Sequence, residues 1–406
     1  MTAEPNSETP SLRPSTVWLM ATTVGVVVAN IYYAQPLLAA IAKSFGLSVA
    51  HAGAIAMLSQ AGTATGMALF VPLGDKFERR SLVTVLLLGA FVALLAFAIS
   101  PNILCLALAS FAVGAFSATV HVVVPFAAHL ASPSERGRVV GTLISGILFG
   151  ILLARSFSGT IGALLSWRAV YGIAAAAMII LAAVVRTRLP VSRPEIPISW
   201  PDLMRSALQL VRRHSLLRES AILGALFFAG FSAFWTTLVF FLESPAYHFG
   251  SASAVAGFFG LVGAAGAAGA PTFGHLAHKH GPRVTIQIAL WLTIFAFVIM
   301  GLTGTHFAGL IIGVILMDLG VQAAHIANQT RIYGIDPGAR SRLNMVYMFC
   351  YFAGGGLGSW LGAICWHLAG WWGVCGFGIA TVCLAIIVEA LHKRAADNHS
   401  NTTASA

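Results

Sequence analysis

The sequence predicts an all-α integral membrane protein of twelve transmembrane helices, arranged as two pseudo-symmetric six-helix bundles. Three observations predict it. Of 406 residues, 58% are hydrophobic and 9% charged, which is more apolar surface than a soluble domain can hide. Apolar runs of about 18 or more residues, enough to cross about 30 Å of hydrocarbon as a helix, recur from end to end. The chain also repeats once at half its length. At a shift of 204, His121 falls on His325, Pro133 on Pro337, Arg136 and Arg138 on Arg340 and Arg342, Gly150 on Gly354, and Trp167 on Trp371. At 203, Leu73, Lys76 and Arg80 fall on Leu276, Lys279 and Arg283. Paired repeats in a membrane usually enclose a site where they meet, near the midplane.

In order, residues 1–15 read as a polar tail, without the basic region or cleavage site of a signal peptide. The first bundle, 16–187, has spans near 16–41, 51–73, 81–100, 103–131, 138–165 and 168–187. A linker at 188–218 carries Pro190, Pro194, Pro197 and Pro201 and is expected to contain a surface helix. The second bundle, 219–391, has spans near 219–243, 252–275, 283–303, 307–332, 341–367 and 371–391, and a polar tail follows at 392–406. The runs are continuous and do not alternate, which excludes a β-barrel.

A net charge of +10 invites a nucleic-acid reading, but the placement of the charges argues against it. Twenty of the 23 Lys and Arg residues fall in the tails or in every second loop. Only Lys43 and Arg168 occupy the alternate loops, and Arg155 lies inside a span. That pattern places both termini and the central linker in the cytoplasm. It makes the Asn398 and Asn401 glycosylation matches accidental. Cys105, Cys350, Cys365, Cys375 and Cys383 lie in or beside spans without ligand spacing, and read as small hydrophobes rather than metal ligands.

The segment Leu73-Gly74-Asp75-Lys76-Phe77-Glu78-Arg79-Arg80, with its counterpart around His278, Lys279 and Arg283, resembles the signature loop of the major facilitator superfamily. Val71 and Glu78 stand where the family usually has glycine, and His278 replaces the second acid. The resemblance covers essentially the whole chain and implies the major facilitator fold. It also implies a cytoplasmic gate in which Asp75 and the arginines lock one conformation, with a weaker latch at His278. Gly141 and Gly150 echo the opening of the family's antiporter motif, although Ile151 and Ala154-Arg155 depart from it. The run Asn30-Ile-Tyr-Tyr-Ala-Gln-Pro36 is similar to the sugar-efflux and drug-efflux branch. Gly146, Gly150, Ala154, Ser158 and Gly162 form a ladder of small residues, matched by Gly354, Gly358 and Gly362. Such ladders serve either close helix packing or the faces on which bundles rock.

Charges inside the membrane cost at least about 2.5–3.5 kcal/mol and need a reason. Asp318 is the deep acid and Arg155 the deep base, both roughly 16–18 Å below the outer surface at 1.5 Å per residue. Either they pair, or Arg155 turns toward the outer mouth. Gln322, His325 and Gln329 extend the Asp318 face into a polar stripe. The fourth helix offers Ser110, Gly114, Ser117 and His121. The resemblance implies that the first, fourth, seventh and tenth helices line a cavity. Asn30 and Tyr33 then contribute from the first helix while Gln35 points elsewhere, and Phe227, Phe231, Phe234 and Trp235 come from the seventh.

No paired carboxylates, metal cluster or nucleophile–base pair in a span supports a membrane enzyme, and GxxxxGK(S/T) is absent. The expected function is secondary transport by alternating access, as proton-coupled efflux of a small organic solute. Proton-coupled uptake and a non-transporting sensor are the alternatives. Asp318, Arg155, His121, His325, Gln322, Gln329, Asn30 and Tyr33 are the expected pathway residues. Gly74, Asp75, Arg79, Arg80, His278, Lys279 and Arg283 are the expected gate. No cofactor beyond the proton gradient is expected. The partners are the solute, protons and the lipid bilayer, with no nucleic acid. The expected form is a monomer in a bacterial-type inner membrane.

Overall fold

The computed structural model describes residues 12–192, 200–247, 249 and 251–404, without the side chains of Asp75, 264–267, Ala270, Pro337 and 393–404. Most of the 1–15 tail, residues 405–406, and Pro194 and Pro197 of the linker lie outside that description, while the expected C-terminal tail continues α15 as helix to Ala404. Every described element is helical: α1 (Pro14–Tyr32), α2 (Ala34–Phe45), α3 (Val49–Phe70), α4 (Arg79–Ala98), α5 (Ile103–Ser117), α6 (Val120–Leu130), α7 (Arg136–Leu164), α8 (Trp167–Arg188), α9 (Trp200–Arg213), α10 (Ser215–Glu243), α11 (Ala252–Val262), α12 (Ala264–His280), α13 (Pro282–Thr303), α14 (Phe307–Tyr333) and α15 (Arg340–Ala404), with short 3-10 turns at Pro72–Asp75 and Pro337–Ala339. Ten helical segments among the described residues are long and apolar enough to cross a membrane.

Local chemistry sets the boundaries. Ser48, Asn102 and Ser166 cap α3, α5 and α8 by accepting from the backbone N–H groups of His51, Cys105 and Ala169. The first span breaks at Tyr33. Pro36, four residues beyond Tyr32, has no N–H to offer the Tyr32 carbonyl. The expected eighth span is divided into α11 and α12 at Gly263. The expected eleventh and twelfth run together in α15 and fold back at Ala369 and Gly370, where a φ of 56° suits glycine alone.

Two hydrophobic cores result. One is built from α1 and α4 to α8 with parts of α2 and α3. The other is built from α10 to α15, and Ala34, Leu38 and Ala42 of α2 and Ala52, Ala56 and Met67 of α3 reach into it. The linker helix α9 buries Leu203, Ala207 and Leu210, at helical spacing, and docks on Met345 of α15. Trp18, Val85, Val92, Leu104, Phe149, Ile180, Trp291 and Phe295 stand exposed on outward faces, as lipid contact requires.

Polar contacts tie the loops together at two ends. At the end away from the termini, Trp167 Nε1 donates to Ser44 Oγ, Arg168 to the Ala98 and Ser100 carbonyls, and Tyr247 Oη to the Gly304 carbonyl. Close approach between helices of the two cores lies in the half of the helices nearer that end. Ser156 Oγ donates to the Gly257 carbonyl at 2.9 Å, and Gly159 faces Ser253 and Gly257. Gly53 lies against Ser359 and Ala363. Deeper in, a buried cluster spans both cores. Gln60 Nε2 donates to Ser232 Oγ (3.1 Å) and Ser359 Oγ (3.3 Å), and Thr236 bonds Ser359 at 3.0 Å.

The small-residue ladder has a different use. Gly146 and Gly150 pack on Ala21 and Gly25 of α1, and Gly354 and Gly358 on Ala225 and Ala229 of α10. These ladders stitch the fifth span to the first and the eleventh to the seventh. The contact between cores uses the adjoining face of α7.

Candidate functional site

Where α7 crosses between the cores, Arg155 is 3% exposed and its guanidinium is held by the surrounding side chains. Its Nε donates to Gln35 Oε1 at 2.7 Å. The guanidinium carbon sits 3.9 Å from the Trp235 ring centroid, 4.9 Å from Tyr32 and 5.8 Å from Phe231. Desolvated cation–π contacts contribute about 2 kcal/mol or more, so these rings stand in for much of the lost water. One terminal nitrogen, Nη2, has no hydrogen-bond partner among the described residues.

Asp318, on α14 of the other core, is 7% exposed, and its Oδ2 is likewise unpartnered. Both groups line one cavity of about 90 Å³, together with Tyr32, Ile151, Phe228, Phe231, Val321, Gln322 and Tyr351. No direct ion pair joins them among the described residues. A guanidinium and a carboxylate therefore face a shared space, each with an unused hydrogen-bonding atom. A buried polar atom left so costs about 1–3 kcal/mol, more if charged.

The other expected pathway residues separate. Gln322 lines the cavity with Asp318. His325 turns to α15, with Nδ1 3.1 Å from Tyr347 Oη and its ring 4.9 Å from Tyr351. Gln329 donates to Asn344 Oδ1 at 3.3 Å. His121 lies edge-on to Phe352, ring centroids 6.3 Å apart. Asn30 is buried against Met178, 3.5 Å from its sulfur. Tyr33 lines a second, largely apolar cavity of about 620 Å³ between α1 and α7, with Phe157.

In place of Tyr33, the first span gives the charged cavity Tyr32. Gln35, expected to point elsewhere, bonds Arg155. Tyr33 keeps helical backbone angles (φ −59°, ψ −34°), so the wheel runs on through it: Tyr32 and Gln35, three residues apart, share the face toward Arg155, and Asn30 and Tyr33 share another. The fourth span is absent from the lining, because its small face is used for packing. Ser110 Oγ donates to the Ile55 carbonyl, and Gly114 lies against Ser59 and Thr63 of α3. The fifth, eighth and eleventh spans join the lining instead. On the seventh, Phe231 lines the cavity and the Trp235 ring lies against the Arg155 guanidinium, while Phe227 and Phe234 only pack in the core.

At the termini end, the signature loop packs on the segment after α8. Arg79 Nε donates to the Gly74 carbonyl (3.2 Å) and Arg80 to the Leu189 carbonyl (3.3 Å). The Asp75 side chain lies outside the described residues, so its latch stays an expectation. His278, Lys279 and Arg283 are exposed around Gly281, whose φ of 88° turns α12 into α13 in a single residue.

Glu78, in a usual glycine position, caps α4, accepting from Arg80 N and Ser81 N at 2.9 Å and from Ser192 N at 3.3 Å. Burial pulls its carboxyl up, but the hydrogen bonds from Ser81, Arg80 and Ser192 outweigh this and hold it below its ordinary 4.5. A lowered folded value means the stabilisation is full above the unfolded value and is lost as pH falls through the folded one. Glu78→Gln should cost about 1 kcal/mol near neutrality. The difference from wild type in thermal unfolding should shrink well below pH 4.5. A gap independent of pH would mean the charge is not what caps the helix.

The sequence reading missed a buried pair. Glu219 Oε2 accepts from Arg331 Nη2 at 2.5 Å, with side chains 2% and 4% exposed, and His392 Nε2 lies 3.3 Å from the same oxygen. Both residues sit near helix ends, where charges read as solvated. Only the matching of an acid early in the seventh span with a base at the end of the tenth could have signalled them.

An all-helical chain with membrane-length apolar spans and a charged cavity between two cores has the architecture of a membrane transporter. The model of the Major Facilitator Superfamily matches residues 19–273, and the chain belongs to that family. It is 41% identical over 397 residues to the uncharacterized transporter YgaY of Escherichia coli O157:H7, covering 97% of this chain and all of that one. It is 33% identical over 375 residues to a protein of Streptomyces coelicolor named as a probable transporter, covering 92% and 86%. Among solved structures it resembles an inward-facing, unoccupied bacterial homologue of the human lysosomal transporter Spinster, at TM-score 0.71 and 17% identity over 94% and 96% of the two chains. The protein is thus a multi-pass membrane transporter of this superfamily, acting on a small-molecule substrate.

Proposed function

We propose that this chain is a secondary active transporter that works by alternating access and exports a small organic solute in exchange for protons. On this reading twelve spans form two bundles, 16–187 and 219–391, joined by a cytoplasmic linker. The protein acts as a monomer in a bacterial-type inner membrane. The observation that carries the reading is the Arg155–Asp318 cavity, with one charge from each core and an unused polar atom on each. A carboxyl at such a junction can exchange a proton with either side, provided the cores open alternately. The close packing of α7 on α11 and of α3 on α15, away from the termini, corresponds to closure on the outer side. The resemblance of the Asn30–Pro36 run to efflux permeases supports export.

The test is reconstitution of the purified chain in vesicles holding a pH-sensitive dye. Proton movement evoked by an added solute, and absent from protein-free vesicles, supports coupling. Solute flux with no proton movement across a broad panel would refute it. Orientation is checked separately. A cysteine at the exposed Leu165 should react with an impermeant thiol reagent outside intact cells, and one at the exposed Thr187 should not. The reverse pattern would invert the topology.

A further inference from the structure

We infer that the cavity takes a zwitterion, with an ammonium and a carboxylate joined by a short hydrocarbon chain. The inference rests on the reading of this cavity as the transport site.

Among the described residues, Arg155 Nη2 is a charged donor without an acceptor and Asp318 Oδ2 a charged acceptor without a donor; both residues are more than nine-tenths buried. The two side chains share a cavity but form no ion pair with each other. An anion alone would satisfy Arg155 and face Asp318 as a like charge. A cation alone would do the reverse. While Asp318 is ionised, only a ligand carrying both charges leaves none uncompensated where water is scarce.

Apart from Tyr32, Gln322 and the Tyr351 hydroxyl, the rest of the lining is apolar, with Ile151, Phe228, Phe231 and Val321, and suits methylene groups. The connecting chain is short. Gly260 of α11 lies against the Arg155 side chain and Gly263 faces the Asp318 carboxylate. The cavity itself, about 90 Å³, has room for only a few methylene groups. No Cβ is present at either glycine to narrow the passage. Coupling then has a simple origin. A proton and the ligand's ammonium compete for one carboxylate, so loading one expels the other.

The experiment uses the full-length wild-type chain in detergent and its thermal unfolding midpoint. The probes are the straight-chain ω-amino acids from glycine to 6-aminohexanoate, with the alkanoate and the alkylamine of each length. At least one ω-amino acid should raise the midpoint in a saturable way. Its matched alkanoate and alkylamine should need at least about tenfold higher concentration for the same rise. The inference is overturned if no ω-amino acid shifts the midpoint, or if a singly charged analogue matches the zwitterion. If a monoanion or an amine evokes proton movement in the vesicle assay, the transport reading stands while this one falls. If nothing does, the transport reading fails on its own.

Discussion

Asp318→Asn is expected to abolish solute accumulation driven by a pH gradient while the protein still folds. Asparagine keeps the shape of the side chain, and the site lacks a direct ion pair that the substitution would break, so Arg155 keeps Gln35 and its three aromatic rings. What is lost is the ability to take up and release a proton, together with the negative charge that the inferred ammonium would meet, so solute binds more weakly but is still equilibrated. With one proton exchanged per solute, a gradient of one pH unit sustains about a tenfold concentration ratio, since 1.4 kcal/mol is a factor of ten. The wild type should approach that ratio in vesicles, and the variant should settle at equal concentrations on both sides. Accumulation at the wild-type ratio would remove Asp318 from the coupling step. His325 and His121 would then be the titratable groups to test, although the structure turns them to Tyr347 and Phe352.

Gly257→Leu should hold the transporter open on the side away from the termini. A Cβ at Gly257 would already stand 2.7 Å from the Arg155 carbonyl oxygen and 3.2 Å from Gly159 Cα, and a helix backbone has little room to yield. Overpacking of this kind costs about 1–3 kcal/mol. Here the cost falls only on the conformation in which α7 and α11 touch, so the balance between states shifts about 5- to 150-fold. Net transport should fall by a similar factor while the folded protein remains. Gly376→Ala, where nothing lies within 4 Å of the new Cβ, is the control and should transport normally. Wild-type transport by Gly257→Leu would mean that this contact never has to part.

The structure explains why some of the site could be read from sequence and some could not. Arg155 and Asp318 were legible because a charge deep in an apolar run is too costly to be incidental. Gln322 followed from Asp318 by one helical turn. Tyr32 and Gln35 were not legible, because periodicity groups them on one face of the first span and Asn30 and Tyr33 on another but does not say which face meets the Arg155 cavity. The fourth span was expected at the cavity from the resemblance. Its serine and glycine face is instead the one that lets α5 approach α3 closely. Gly257 and Gly260 carried no chemical signal, since their role is to be small beside a backbone that comes from 100 residues away. The spans themselves were legible almost throughout, because hydrophobic length is a direct demand of the bilayer. The division at Gly263 was not, because it interrupts a run that is apolar on both sides.

The central claim is that the Arg155–Asp318 cavity is reached from each side of the membrane in turn. Gln322→Cys in a chain whose five native cysteines have been replaced tests it most directly, because Gln322 lines the cavity beside Asp318. An impermeant thiol reagent should label this cysteine from either face of oriented membranes. With Gly257→Leu added, labelling should persist from the outer face and disappear from the cytoplasmic one. Labelling from neither face, or from one face alone regardless of Gly257, would contradict the account.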